Sequence, residues 1–320
     1  MLIPEAVTPR MTSFLGIDTS NYTTSAAIYT ASDDSVIQEK LLLPVKDGEL
    51  GLRQSDAVFH HTKQLPVIIK KLFCEAHEFQ AVGVSVRPRD EKGSYMPCFL
   101  SGEAVADCIG AVNHIPVYKA SHQAGHILAA LYSCRRLELI HKSFIAFHVS
   151  GGTTDCLFVQ PDNKEIIKIS LLSASLDLKA GQAVDRVGLM LGLKFPCGKE
   201  LERLALKSSA SYNIRPVIKG MNCSLSGVEN KCGRMLSDGE GIEDIAKYCL
   251  DFICSAIDEM TRLALLKAGE LPVVYAGGVM SNSIIRKKLT KKYGALFAAP
   301  EFSCDNAVGT AIFAALKEKK

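Results

Sequence analysis

The sequence contains no uninterrupted apolar stretch of the ~18 residues that a membrane helix needs. No signal-peptide pattern opens it either: Met1 to Ser13 includes Pro4, Glu5 and Pro9 and lacks a long apolar core. Its eleven cysteines are odd in number and form no Cys-x-x-Cys pair. Several, such as Cys249 and Cys254, stand in apolar runs, where free cysteine behaves as a small hydrophobe. A reduced, cytoplasmic protein with no membrane association is the expectation. Charge of one sign is also scarce, at +3 from 37 basic and 34 acidic residues. That balance is too weak to demand a nucleic-acid partner. The lysines at 287, 288, 291 and 292, and those at 317, 319 and 320, read as a solvated face and a charged tail rather than an RNA contact.

Several catalytic signatures are missing as well. There is no Gly-x-Ser-x-Gly elbow, no Gly-x-x-x-x-Gly-Lys-Ser/Thr loop, no Gly-x-Gly-x-x-Gly after a strand and no His-Glu-x-x-His. A zinc protease of the last kind lacks its general base, because residue 123 is Gln.

What is present is a globular composition, 48% hydrophobic and 22% charged over 320 residues, enough for two ordinary domains with a sizeable core. Phe14 to Tyr29 reads as strand, polar turn, strand, and Gln38 to Pro44 extends the meander. A helical period covers Asp56 to Ala76, a buried strand Ala81 to Val86, and a helix capped by Ser101 runs to Val112. Pro116 to Tyr118 is a short strand, and Ser121 is placed to cap the helix that follows. The pattern then restarts. Phe144 to Val159 is a second strand, turn, strand, and its turn, Ser150-Gly-Gly-Thr-Thr-Asp155, echoes Thr19 to Ser25. Helices are expected at Gln182–Leu191, Lys199–Leu206, Ile242–Leu266, Ser281–Lys292 and Asp305–Lys319, with a buried strand at Pro272–Ala276.

This is an internal duplication at coarse grain, and it predicts an α/β fold of two lobes, 12–120 and 121–320, with the last helix able to pack back on the first lobe. Each half opens on a hairpin whose turn is rich in hydroxyls or glycines. Backbone N–H groups and short hydroxyls wrap a phosphate, and Gly lets the backbone come close. Two such turns facing each other would grip a nucleotide's phosphates. Gly277 and Gly278 end the strand at Val273–Ala276, where ligands of open α/β sheets bind. Asn282 follows, either as a ligand for base, ribose or phosphate or as a helix cap.

His122 and His126, in Ser121-His-Gln-Ala-Gly-His126, are one helical turn apart on one face and suit two ligands of one metal ion. Such a pair is more often ordinary surface or core, unless a third ligand joins it. Asp305 is the best candidate, against the alternative that it caps the last helix. His77 and His114 have no partner at ligand spacing, and His60 and His61 are adjacent and so face apart.

Taken together, the motifs resemble those of the tRNA N6-adenosine threonylcarbamoyltransferase family, formerly described as O-sialoglycoprotein endopeptidases. They come in the family's order over about Phe14 to Leu316. They are Gly16-Ile-Asp-Thr-Ser20, His122-x-x-x-His126, Val149-Ser-Gly-Gly152, Gly181-Gln-Ala-Val-Asp-Arg186 and Leu191-Gly-Leu-Lys-Phe-Pro-Cys-Gly198. Ser224-Leu-Ser-Gly227, Ala276-Gly-Gly-Val-Met-Ser-Asn282 and Asp305-Asn-Ala307 complete the series. The resemblance implies a duplicated, two-lobed fold like that of actin, Hsp70 and sugar kinases (ribonuclease-H-like), with a nucleotide cleft between the lobes. It implies transfer of a threonylcarbamoyl group from threonylcarbamoyl-AMP to N6 of the adenine 3′ of a tRNA anticodon, releasing AMP. His122, His126 and Asp305 then match the ligands of one divalent metal ion (iron, zinc or magnesium). Val149, Ser150, Gly151, Gly152, Asp185, Gly198 and Asn282 match adenylate contacts, and Gly277 and Gly278 join them; the nucleotide is threonylcarbamoyl-AMP or ATP. The implied partners are tRNA and the proteins of the threonylcarbamoylation machinery.

The chain departs from the family at several points. Arg87-Pro-Arg-Asp-Glu-Lys-Gly93 stands where Gly-Pro-Gly is usual, and Asn21, Tyr22 and Thr23 stand where acidic residues are. Ala124 replaces a usual Glu between the histidines, Glu229 stands near a usual Lys, and Thr153 replaces a usual His. Two other readings fit these changes: a diverged paralogue transferring carbamoyl or phosphoryl groups to a small molecule, or a non-catalytic nucleotide-binding regulator. The retained ligand trio argues against the latter.

Overall fold

The computed structural model describes residues 12–20, 22–44, 52–73 and 78–320; Asn21 and His77 lie outside the described residues. In chain order the first elements are β1 (Ser13–Asp18), β2 (Thr23–Thr30), β3 (Ser35–Leu42), α1 (Gln54–Leu72), β4 (Phe79–Arg87), α2 (Phe99–Asn113), β5 (Val117–Ser121) and α3 (His122–Ser133). Next come β6 (Phe144–Val149), β7 (Thr154–Asp162), β8 (Ile166–Ala174), α4 (Ala180–Met190), α5 (Gly198–Ala205), β9 (Val217–Lys219), β10 (Asn222–Ser224), α6 (Gly227–Ser237) and α7 (Ile242–Ala268). The chain ends with β11 (Val273–Ala276), α8 (Ser283–Tyr293), β12 (Leu296–Phe297), α9 (Pro300–Ser303) and α10 (Val308–Glu318).

These elements form two compact units. The first holds the described residues up to Tyr132, with Lys164–Ile166 and Asp305–Lys320; the second holds Ser133–Asn163 and Ile167–Cys304. The first unit's sheet has the order β3-β2-β1-β4-β5, and the second's has β12-β11-β6-β7-β8. Read from the opposite edge, the second is the first repeated. In each, a central strand pairs antiparallel with its hairpin partner on one side and parallel with a later strand on the other. β1 and β2 are buried along their whole lengths, which is why they read as near-continuous runs of apolar and small residues.

Each unit has its own core. Leu15, Ile17, Ile28, Leu65, Ile68 and Val84 fill the first. Phe147, Val187, Leu201, Ile253, Ile257 and Tyr275 belong to the second. The long α7 presents an apolar stripe to that core, with Ile245, Cys249, Ile253, Ile257 and Met260 all buried.

Helix α10 belongs to the first unit although it ends the chain. It is buried at eight successive positions from Val308 to Ala315, as an enclosed helix must be. It lies flush on β1 and β4 because those strands carry Gly16 and Gly83 beneath it. A Cβ on Gly16 would stand 2.2 Å from the Ala307 carbonyl oxygen, and one on Gly83 would stand 1.9 Å from that of Thr310.

The unit boundary expected at 120/121 falls one helix later. α3 stays with the first unit because it follows β5 without a loop and packs on α10, where a Cβ on Gly309 would meet the Gly125 carbonyl at 1.7 Å. Ser121 caps α3 as expected, its Oγ accepting from the Ala124 N–H. Ser101 is not the cap of α2, which starts at Phe99; its hydroxyl donates instead to the Val58 carbonyl on α1. The final helix starts at Val308, with Asn306 rather than Asp305 accepting from its first N–H. α6 and the β9–β10 hairpin, both short, are additions to the elements read from periodicity.

A candidate metal centre and a glycine-lined turn

Strand β5 ends at Ser121 and α3 begins at His122, so the first helical residue stands at a strand's C-terminal end. One turn on, His126 turns the same way. The docking of α10 brings Asp305 to both. His126 Nε2 lies 2.9 Å from His122 Nε2 and 3.2 Å from Asp305 Oδ1, and His122 Nε2 lies 3.6 Å from the same oxygen. Two donors at right angles on an ion with bonds of ~2.1 Å would stand ~3 Å apart. The three observed separations bracket that value, so two imidazole nitrogens and a carboxylate oxygen fit as ligands of one cation. His126 is buried, and no other group of three or more such ligands occurs among the described residues.

A fourth residue holds the first ligand in place. Asp18, at the end of β1, accepts from His122 Nδ1 at 2.8 Å and is itself buried. Its other oxygen accepts from the Ser20 N–H at 2.8 Å. A carboxylate on Nδ1 fixes the tautomer in which Nε2 faces the site. Thr23 donates to Asp305 Oδ2 at 3.5 Å. Asp18 was missed in the sequence. The signal for it was the place of the acid at the end of the opening strand, which by itself also suits a turn-forming role.

The electrostatics follow from this packing. Burial opposes charge on His122, but Asp18 and then Asp305 outweigh it and push its pKa up to about 10. Burial and the neighbouring charge on His122 push His126 down. Burial also opposes charge on both acids, yet hydrogen bonds from the histidines hold Asp305 well below the usual carboxylate range, and His122 holds Asp18 below it.

The second unit assembles the other predicted residues around the turn after β6. Val149, Ser150, Gly151 and Gly152 form that turn, closed by the Ser150 N–H donating to the Thr153 carbonyl. It is wedged between two glycines. A Cβ on Gly181 would meet Gly151 N at 2.5 Å, and one on Gly277 would meet the Val149 oxygen at 2.2 Å. Gly277 also has φ +99°, a conformation that favours glycine. Its missing side chain therefore serves packing. By contrast, a Cβ on Gly151, Gly152, Gly198 or Gly278 would meet nothing within 4 Å, so these four line open space that a ligand can occupy.

Asp185 on α4 accepts from the Cys197 N–H at 2.9 Å, which sets the start of α5 and Gly198 beside it. Burial raises its pKa. Asn282 is buried and caps α8, its Oδ1 accepting from the N–H groups of Ile284 and Ile285. Of its two readings, the cap is the one realised by that oxygen. The lysines of α8 are partly engaged too: Lys288 pairs with Asp251 and Lys292 with Asp258.

Two units of repeated α/β topology, one with a His-His-Asp cluster and one with a glycine-lined turn, define the duplicated fold of the actin, Hsp70 and sugar-kinase class. Component A of the (R)-2-hydroxyglutaryl-CoA dehydratase of Acidaminococcus fermentans has this fold at TM-score 0.58 and 16% identity, over 97% of this chain and 100% of its own. The family model for tRNA N6-adenosine threonylcarbamoyltransferases matches residues 49–312, and the chain belongs to that family. The tRNA N6-adenosine threonylcarbamoyltransferase of Buchnera aphidicola subsp. Schizaphis graminum is 29% identical over 96% of this chain and 93% of its own length. A probable bifunctional tRNA threonylcarbamoyladenosine biosynthesis protein of Thermoplasma acidophilum is 25% identical over 86% of this chain, which covers 50% of that longer protein. The family is one of transferases that use a metal and a nucleotide-type ligand. No described helix is long and apolar enough to cross a membrane.

Proposed function

We propose that the chain transfers the threonylcarbamoyl group of threonylcarbamoyl-AMP to N6 of the adenine 3′ of a tRNA anticodon. The observation that carries this reading is the convergence of His122, His126 and Asp305, residues up to 183 positions apart in sequence, on one cation-sized space. Nothing in the fold of the first unit requires two imidazoles and a carboxylate there. Family membership supplies the reaction.

N6 forms the new bond to the carbamoyl carbon, the bond from that carbon to the phosphate oxygen breaks, AMP leaves with the electron pair, and N6 gives up a proton. The nucleophile comes with the tRNA, so the protein's task is positioning and charge stabilisation. His122, His126 and Asp305 hold one divalent cation, which when bound polarises phosphate or carbamoyl oxygens. Asp18 keeps His122 turned toward it. Gly151, Gly152 and Gly278 let backbone N–H groups approach the adenylate, Gly198 leaves room beside it, and the second oxygen of Asp185 accepts from a ribose hydroxyl. Asn282 orders that wall through its cap. Of iron, zinc and magnesium, a donor set of two imidazole nitrogens and one carboxylate oxygen suits iron or zinc better than magnesium, which favours oxygen ligands. The site is expected to work with protein partners in the cytoplasm.

The test is direct. Purified protein is incubated with threonylcarbamoyl-AMP, tRNA and family partners, and modified adenosine is measured after digestion. Modified adenosine is expected. Its absence from a protein with intact metal binding would overturn the assignment.

A further inference from the structure

Residues 87–93 carry charge and few glycines, and the structure shows what the charge does. The β4–β5 register shifts between Ser85 and Arg87, so that Arg87 lies opposite Ser121. Such an irregularity re-aims the side chains that follow it. Arg87 then donates from Nε and Nη2 to Asp90 Oδ1, at 3.0 and 2.7 Å. The other oxygen of Asp90 accepts from the Ser121 hydroxyl at 2.7 Å. Ser121 in turn accepts from the Ala124 N–H at 3.1 Å, and the Pro88 carbonyl accepts from the Gln123 N–H at 3.0 Å. Two of the N–H groups that a helix start leaves unpaired are thus met by this segment or through it. His122 stands immediately before them in sequence.

We infer that Asp90 is a positioning residue for the metal centre: through Ser121 it sets where α3 begins, and so where His122 and His126 point. This rests on the metal site proposed above. The Arg87–Asp90 pair is about a third exposed, 32% and 27%, and an ion pair so placed contributes little by itself. The hydrogen bond from buried Ser121 is different. It orients the hydroxyl so that its lone pair meets the Ala124 N–H, which a freely rotating hydroxyl does less well. Arg87 holds the carboxylate in the orientation that reaches Ser121. A glycine-rich segment has no side chain to do this.

The test measures Co²⁺ affinity and the visible Co²⁺ spectrum of the full chain, with thermal melts alongside. Asp90→Ala is expected to weaken Co²⁺ binding about tenfold, in the range seen when outer partners of metal ligands are removed, and to alter the spectrum. Asp90→Asn retains an oxygen acceptor for Ser121 and is expected to recover most of the affinity. Ser121→Thr, which keeps the hydroxyl, is expected to bind as the parent does. In an Arg87→Ala/Asp90→Ala double variant, affinity stays low if Asp90 acts through Ser121. Restoration there overturns that route, because Asp90 would only be neutralising Arg87. Unchanged affinity and spectrum in Asp90→Ala overturn the positioning role and leave the metal site standing. A parent protein that binds no Co²⁺, Zn²⁺ or Fe²⁺ overturns both.

Discussion

His122 is held at both ends. Asp18 takes Nδ1, and Nε2 faces His126 and Asp305. With its pKa pushed up to about 10 by these acids against the effect of burial, His122 carries a proton at neutral pH in the metal-free chain. A metal must displace that proton, so binding is expected to release about one proton and to tighten roughly tenfold per pH unit near neutrality. Titrations of Zn²⁺ at two pH values, with proton uptake followed in weak buffer, check this. Asp18→Asn removes the main attraction on the proton and is expected to flatten the dependence. An unchanged slope in that variant would count against Asp18 as its cause.

At the scale of elements, the centre depends on how closely α3 and α10 approach. Gly125 and Gly309 touch backbone to backbone, and Gly16 and Gly83 let α10 settle on the sheet. Gly309→Ala cannot be absorbed by a side chain moving aside, since the neighbour is the Gly125 carbonyl at 1.7 Å. The two helices must separate, taking Asp305 from the histidines. Metal affinity is expected to fall at least a hundredfold, with a loss of stability of about 2–4 kcal/mol, as large core overpacking gives. Metal titration together with urea unfolding measures both. By contrast, Gly151→Ala meets nothing within 4 Å and is expected to leave stability within about 0.5 kcal/mol while weakening adenylate binding.

At the scale of the molecule, a buried histidine away from the ligand trio contributes to acid stability. His61 is fully buried on α1, with Nδ1 2.8 Å from the Thr24 hydroxyl. Burial pushes its pKa down to about 4 from the ordinary 6.5. Between those values the unfolded chain binds a proton that the folded chain does not. Stability therefore falls as pH drops from 6.5 to 4, by up to about 3 kcal/mol from this group, and levels off below. His61→Gln is expected to lose that acid-side slope. The chain has no tryptophan, so circular dichroism in urea at stepped pH is the suitable readout.

The sequence by itself determined the local structure and the repeat. Periodicity placed α1, α7, α8 and the two opening hairpins within a few residues, because a helix face or a strand face is written in neighbouring positions. It also singled out His122 and His126, which are helix neighbours. Other features were decided only in three dimensions. Asp305 was the best third-ligand candidate in the sequence, with a helix cap as its alternative; the docking of α10 on Gly16 and Gly83 puts its carboxylate beside both histidines and leaves the cap to Asn306. Gly277 looked like a ligand-facing glycine but packs on Val149, while Gly278 beside it stays open. Asp18 stood in the Gly16 to Ser20 motif with no role assigned and Asp90 in no motif, since each acts on a residue more than thirty or a hundred positions away. His122 and His126 as a pair were legible in the chain. Asp305 was named from the sequence as their best third ligand, but the roles of the carboxylates that aim them were not legible, because close approach of backbones at glycine is a property of the packed fold and leaves no period in the sequence.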